Sequence, residues 1–359
     1  MLSFVLPTHN RPVELARTLA RLGALDGAID AEVIVVDNAS VEPVSIPCRL
    51  ANGWRALTLL KRTNVGAAAR NDGVRLASGR WVIMLDDDSH PLDLGFIDAI
   101  KEAAPDVAAI GAEILLPGGK HESGGLPEVI VGCGAAIRRD VFLEVGGYDP
   151  AFHFYAEEYD LCAKLIRAGH RVIVDARFRV LHEKTPTGRD MNIVLARLMR
   201  NNGWVVARYA PTSGREAALS EVIARYAVIA KKERALAGYE AGLAELDATI
   251  AAQPRTPMSL GQWERFTGCT AARFALEAAR DRIESRRVSV VASGKGAAIV
   301  ESLVVQLGGT LVDGADAESL VIGTLSPGPL LDAMDAWTTD ARPVIAPWDV
   351  RPTLMRRAG

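Results

Sequence analysis

The run Trp81-Val82-Ile83-Met84-Leu85, followed at once by Asp86-Asp87-Asp88, constrains this chain more than any other stretch. Five consecutive apolar residues of this type read as a strand buried on both faces. An unpaired carboxylate is very costly to bury, so three acids in a row are expected where the strand surfaces, at its carboxyl end. Pro91 is expected to stop any regular element there. Ligands of open α/β sheets bind at the carboxyl ends of strands. Hard cations take oxygen ligands, and one with open coordination positions also holds a substrate phosphate. The stretch therefore points to a divalent cation clamping a phosphorylated substrate, against the plainer reading of a solvated acidic turn.

The same strand-then-polar pattern occurs twice upstream. Leu2–Leu6 reads as a short buried strand ending in the loop Pro7-Thr8-His9-Asn10-Arg11-Pro12, and Glu32–Val36 as a second ending in Asp37-Asn38. Leu57–Leu60 is a third strand. Helices are expected over Val13–Leu22, with Leu15, Leu19 and Leu22 on one face, and over Ala67–Ala77. This alternation predicts a mostly parallel sheet flanked by helices. An acid after the second strand often bonds a ribose hydroxyl, but Asp and Asn serve equally as turn residues. Downstream, Val107–Leu115 reads as a strand, Pro117–Pro127 as a mobile glycine-rich loop near the site, and Val129–Ile137 as a strand broken by glycines. An acidic cluster, Glu157-Glu158-Tyr159-Asp160, opens a helix to Ala168, and two short strands, Arg171–Val174 and Phe178–Leu181, lead to His182.

Composition narrows the class. A formal net charge of -3 over 359 residues gives no field for nucleic acid or an anionic membrane. Four widely spaced cysteines argue against a disulfide framework or zinc site and for a reducing compartment. The amino terminus lacks the pattern of a signal peptide, and no run approaches a membrane span. The expectation is a cytoplasmic protein, at most peripheral to a membrane.

In order along the chain stand Leu6-Pro7-Thr8-His9-Asn10-Arg11, Val35-Val36-Asp37-Asn38-Ala39-Ser40, Asn64-Val65-Gly66 with Ala69-Arg70-Asn71, and Leu85-Asp86-Asp87-Asp88. Gly146-Gly147-Tyr148-Asp149, Glu157-Glu158-Tyr159-Asp160-Leu161 and His182 follow. In these pieces the sequence resembles the family 2 glycosyltransferases of the GT-A fold. Arg200-Asn201-Asn202-Gly203-Trp204 and Arg208-Tyr209-Ala210-Pro211 look like the tail of its bacterial, rhamnosyltransferase-like members, so the resemblance covers roughly residues 1–215.

The resemblance implies an inverting, metal-dependent hexosyl- or deoxyhexosyltransferase of polysaccharide or glycoconjugate synthesis. Its donor would be a nucleotide-diphosphate sugar and its acceptor a saccharide, lipid-linked or small-molecule hydroxyl. Pro7, Thr8, Asn10, Arg11, Asp37, Asn38, Asn64, Arg70, Asp86 and Asp87 would form the donor site. Asp88 and His182 would ligate Mn²⁺ or Mg²⁺. Glu158 stands where relatives carry the general base, commonly Asp in a Glu-Asp-x-Asp pattern. Here the pattern is Glu-Glu-Tyr-Asp, so Glu157 is also eligible. A sugar-phosphate nucleotidyltransferase would need a glycine-rich basic loop after the first strand, which is absent. The intact acids and His182 count against a non-catalytic sugar-nucleotide-binding protein.

Beyond residue 215 the expected organisation is a helical region over 216–286, then a small Rossmann-like α/β domain over 287–359. The latter is read as an accessory for oligomer contacts or acceptor recognition. Residues 190–209 form a helix with interspersed arginines, which either packs on the catalytic domain or lies on a membrane surface.

Overall fold

The computed structural model describes residues 1–25, 29–184 and 190–350. The elements begin β1 (Leu2–Thr8), α1 (Pro12–Gly23), β2 (Ala31–Asp37), β3 (Arg55–Leu60), α2 (Ala69–Leu76), β4 (Trp81–Leu85), β5 (Ser89–Pro91), α3 (Gly95–Glu102), β6 (Val107–Leu115), β7 (Gly134–Arg138), α4 (Arg139–Glu144), α5 (Glu157–Arg167) and β8 (Arg171–His182). They continue α6 (Met191–Tyr209), α7 (Arg215–Lys232), α8 (Leu236–Thr249), α9 (Leu260–Thr267), α10 (Cys269–Ala278), β9 (Arg287–Val291), α11 (Ala297–Gln306), β10 (Thr310–Leu311), β11 (Ser319–Ile322), α12 (Pro327–Trp337) and β12 (Val344–Ile345). Two compact units share this chain. The first comprises Met1–Asp88, Ile137–His170 and Lys184–Trp263; the second comprises Ser89–Ala136, Arg171–Glu183 and the chain from Glu264 onward.

In the first unit β3, β2, β1 and β4 lie side by side and all pair in parallel. Every residue of β2 and β4 is buried, as continuous apolar runs require. Register aligns Thr8 with Asp37, so the polar ends of β1 and β2 are level. Pro7 lies inside β1 rather than in the following loop. Pairing of β1 with β4 stops at Val5, so the missing amide of Pro7 costs that side no ladder bond. Pro12 starts α1, where its missing N–H is harmless, and Leu15, Leu19 and Leu22 turn inward. Phe4 stacks on Trp54, ring centroids 5.1 Å apart.

The helical region expected over 216–286 contains four α-helices, α7 to α10. Leu195, Met199, Trp204 and Val205 of α6 are buried. Gly238 and Gly242 let α8 approach closely: a Cβ at either would overlap the backbone of Asn192 or Ala196. The arginines of α6 are engaged as well. Arg200 stacks over the Trp204 ring at 4.4 Å and pairs with Glu245 at 2.6 Å. The apolar stripe of this helix is therefore core rather than a free surface.

In the second unit β6 and β8 pair in parallel, and β5 pairs antiparallel with the end of β8. The two strands expected over 171–181 are one. The register jumps from Ala112↔Asp175 to Glu113↔Arg179, and this irregularity is what the sequence shows as a gap. Pro91 does not end regular structure but closes β5, which pairs with β8 opposite Val180. Val129–Cys133 is not strand: Leu126 and Val129 exchange backbone hydrogen bonds in a tight turn, and β7 begins only at Gly134. Residues 287–345 form a separate parallel sheet of order β10-β9-β11-β12, with α11 and α12 as its helices. No helix among the described residues is long and apolar enough to cross a membrane.

Candidate active site

Asp86, Asp87 and Asp88 do stand at the carboxyl end of β4, but they do not all surface there. Asp87 and Asp88 are 4% and 2% exposed. What makes this tolerable is a set of donors from β1 and α1. Thr8 Oγ1 donates to Asp87 Oδ2 at 2.8 Å, and Thr18 Oγ1 donates to the Asp87 carbonyl at 2.7 Å. The Arg11 guanidinium spans both acids, with Nη1 2.9 Å from Asp87 Oδ1 and Nη2 2.6 Å from Asp88 Oδ2. A buried carboxylate survives when it is paired and hydrogen-bonded. Burial pushes the Asp87 carboxyl up to about 7, against the pull of Arg11 and Thr8. Arg11 and Thr8 are thus held by the acids.

Asp86 is the outward member, and Arg70 holds it. The Arg70 guanidinium donates to Asp86 Oδ1 and, at 3.2 Å, to the Leu85 carbonyl. Burial works against the Arg70 cation, but the charges of Asp86, Tyr148, Glu157 and Glu158 outweigh it and raise its pKa. One buried arginine is thereby bonded to the acidic end of β4 and favoured by the charge at the acidic start of α5. Next to it, Asn71 accepts from the Tyr148 amide and donates to the Tyr148 carbonyl, at 3.0 and 2.8 Å.

Glu157 and Glu158 open α5. Glu157 is buried, and its Oε2 has no hydrogen-bond partner among the described residues; the same holds for the Tyr148 hydroxyl. Burial holds the Glu157 carboxyl well above the usual range, and the neighbouring charge of Glu158 adds to this. Glu158 is half-buried. The backbone leading in is unusual: His153, Tyr155 and Ala156 take positive φ of 60°, 71° and 64°. Non-glycine residues in that region cost of order 1–3 kcal/mol each and persist only where surroundings impose them. Asn201 of α6 imposes it here. Its Nδ2 donates to the carbonyls of Phe152, Phe154 and Tyr155 at 3.0, 3.0 and 2.6 Å. Asp160, one turn into α5, is fully buried and held by Arg208 at 2.9 Å and the Tyr209 hydroxyl at 2.7 Å.

The other expected donor residues form a framework. Both carboxylate oxygens of Asp37 accept backbone amides, from Ser40 and Val44, each at 2.9 Å. Asn38 accepts from the Val65 amide and donates to Asn64 Oδ1 and the Gly66 carbonyl. Asn10, at φ 54°, accepts from the Val41 amide. Asn64 accepts from the Gly66 amide at 2.9 Å. Pro7 is half-buried within β1. Gly66 adopts φ 65° and lies against the His153 carbonyl, where a Cβ would overlap it. That contact couples the loop before α2 to the segment before α5.

His182, in the second unit, is buried, with Nδ1 3.0 Å from Glu122 Oε2 and 3.5 Å from Cys133 Sγ. Ser89, the residue after Asp88 in the chain, is its register partner in β5 and β8. Nothing in the sequence pointed to Glu122, a lone polar residue in a loop; Asn71 and Asn201 stand in pieces that carry the resemblance, but the sequence assigned neither a role.

Residues 3–114 match the family described as glycosyl transferase family 2. That stretch belongs to this family. The family 2 region carries Thr8, Arg11, Arg70 and Asp86–Asp88, while Glu157, Glu158 and His182 lie beyond it. A Haemophilus influenzae protein named as an uncharacterised glycosyltransferase is 28% identical over 197 residues, 46% of this chain and 62% of that relative. The O-antigen biosynthesis protein RfbC of Myxococcus xanthus is 27% identical over 228 residues, 52% of this chain and 18% of that relative. The chain thus spans less than two thirds of either relative's length. Residues 1–349 of S. aureus TarS, solved with UDP-GlcNAc, superpose with a TM-score of 0.50 at 15% identity, over 78% of this chain and 87% of that one. At that identity the likeness is one of fold: the chain has an α/β fold of GT-A type. The match reaches the family and not its rhamnosyltransferase-like subgroup.

Proposed function

We propose that the protein is an inverting, metal-dependent glycosyltransferase acting on a nucleotide-diphosphate sugar. The observation that supports the reading is buried Arg70, which hydrogen-bonds Asp86 at the end of β4 and whose cation is also favoured by the charges of Glu157 and Glu158 at the start of α5. In the transfer, an acceptor hydroxyl oxygen bonds to the anomeric carbon and its proton passes to Glu158. The bond from that carbon to the diphosphate breaks, and its electron pair leaves with the phosphate. Glu158 is the assigned base, the role that accepts the hydroxyl proton. Burial favours the neutral form of Glu157, which suits it less to that role. Asp86 and Arg70 face the donor.

Asp88, a carboxylate, and His182, an imidazole, are the assigned cation ligands, and donors of these two types suit Mn²⁺. A carboxylate at His182 Nδ1 favours the tautomer that keeps Nε2 as acceptor, the usual support of a metal-binding histidine. Mn²⁺ or Mg²⁺ bound there would supply Lewis-acid stabilisation of the leaving diphosphate. Glu158→Gln is expected to lower turnover by about 10²–10⁴-fold with the fold intact. EDTA is expected to stop transfer, with Mn²⁺ or Mg²⁺ restoring it. A product assay with radiolabelled donor checks both, and near-wild-type turnover of Glu158→Gln would remove it as the base.

A further inference from the structure

The sheet of β9–β12 changes direction between β9 and β11: β10 lies on one side of β9 and β11 on the other. In an open parallel sheet the crevice beyond the carboxyl ends of two such strands is the expected seat of a ligand. Here the turn after β11, at one edge of that crevice, packs against another part of the same unit. The segment 121–127 lies against the turn that joins β11 to α12. Ser326 Oγ donates to the Gly125 carbonyl at 3.2 Å. His121 is buried and bonded on both ring nitrogens: Nδ1 lies 2.7 Å from Asp332 Oδ1 of α12, and Nε2 lies 3.1 Å from Glu113 Oε1 of β6. Gly328, in the first turn of α12, abuts the Glu122 carbonyl so closely that an added Cβ would overlap it and would stand 2.8 Å from His121 Cβ. The residue so placed, Glu122, is the one whose carboxylate meets His182 Nδ1.

We infer that the C-terminal sheet is a positioning device: the turn after β11 and the start of α12 seat the 121–127 segment and so hold Glu122 on His182. His121, Asp332 and Gly328 are positioning residues that act through Glu122. The inference rests on the reading of His182 as a cation ligand, and it adds to that reading the part of the chain that orients the imidazole. Outer partners of metal-binding histidines set affinity by about 10–100-fold.

Gly328→Ala is the sharpest test, because alanine suits a helix better than glycine and disturbs the seat alone. Two measurements are made on the full chain. The first is limited digestion with trypsin, which reads release of the segment at Lys120. The second is Mn²⁺ binding followed by titration calorimetry without any sugar donor. Gly328→Ala and Asp332→Ala are expected to speed cleavage at Lys120. Both variants, with Glu122→Ala, are expected to weaken Mn²⁺ binding by about tenfold or more. Glu122→Gln, which keeps an acceptor oxygen, is expected to recover part of the loss. A Gly328→Ala protein that melts like wild type, is cut no faster and binds Mn²⁺ equally well would overturn the inference. A wild-type chain that binds no Mn²⁺ at all would instead overturn the cation reading, and the inference with it.

Discussion

His121 shows how much a single side chain can carry without touching the candidate active site. Its imidazole lies between two carboxylates, Glu113 from β6 and Asp332 from α12. The hydrogen bond to Glu113, with Asp332 adding to it, raises its pKa above 6.5, against its own burial. A histidine raised in this way stabilises the fold fully below its unfolded value near 6.5. It loses that contribution as pH climbs through the higher folded value. The melting-temperature gap between wild type and His121→Gln should therefore be widest in mildly acidic buffer and narrow on the alkaline side. A gap that stays constant with pH would mean that the charged form contributes nothing. Nothing in the sequence around His121 announced this role, because its partners lie on other elements and one is 211 residues away. The acids after β4 were legible in position but not in burial. Asp87 and Asp88 bury because Arg11 and Thr8 reach them from a segment more than 70 residues earlier. Asp37 shows the reverse: the ribose reading and the turn reading looked alike in sequence, and its two oxygens are engaged by the amides of Ser40 and Val44.

At the level of elements, α5 begins where its acids said it would, and the entry to it was not legible. Left-handed backbone at His153, Tyr155 and Ala156 has no signature in residues that usually avoid it. The cause lies on α6, in an amide of Asn201 that offers two N–H groups to three carbonyls. Asn201→Leu would strand those carbonyls in a fully buried place, at a cost of about 2–3 kcal/mol. Denaturant unfolding should show that loss. Turnover under native conditions should fall further than stability alone explains, because Glu158 would no longer be held. The helices after residue 215 were legible as helices from their composition. Their break at residues 233–235 was not, since Glu233-Arg234-Ala235 carries neither glycine nor proline. The strands of the first unit were read to within two residues because their apolar runs are continuous, whereas β8 was split in two by a bulge.

For the whole molecule, the strongest test of the assigned chemistry needs no acceptor. A nucleoside diphosphate that binds only the folded chain should raise its melting temperature by mass action, by an amount that grows with ligand concentration. A panel of UDP, GDP, dTDP and CDP with Mn²⁺ should produce a shift with at least one member, which Asp88→Ala should abolish. No shift with any of the four would remove the nucleotide-sugar reading. The interleaving of the two units has its own consequence. The chain leaves the first unit at Asp88, returns at Ile137, leaves again at His170, returns at Lys184 and departs finally after Trp263. A ribosome delivers residues in order, so the first unit cannot be completed until its last piece, ending at Trp263, has emerged. Nor can the second close before its segments beyond Glu264 arrive. Nascent forms must hold both units incomplete until synthesis has passed Trp263. The nascent protein should therefore depend heavily on chaperones, and no cut at a single point could yield a self-sufficient half.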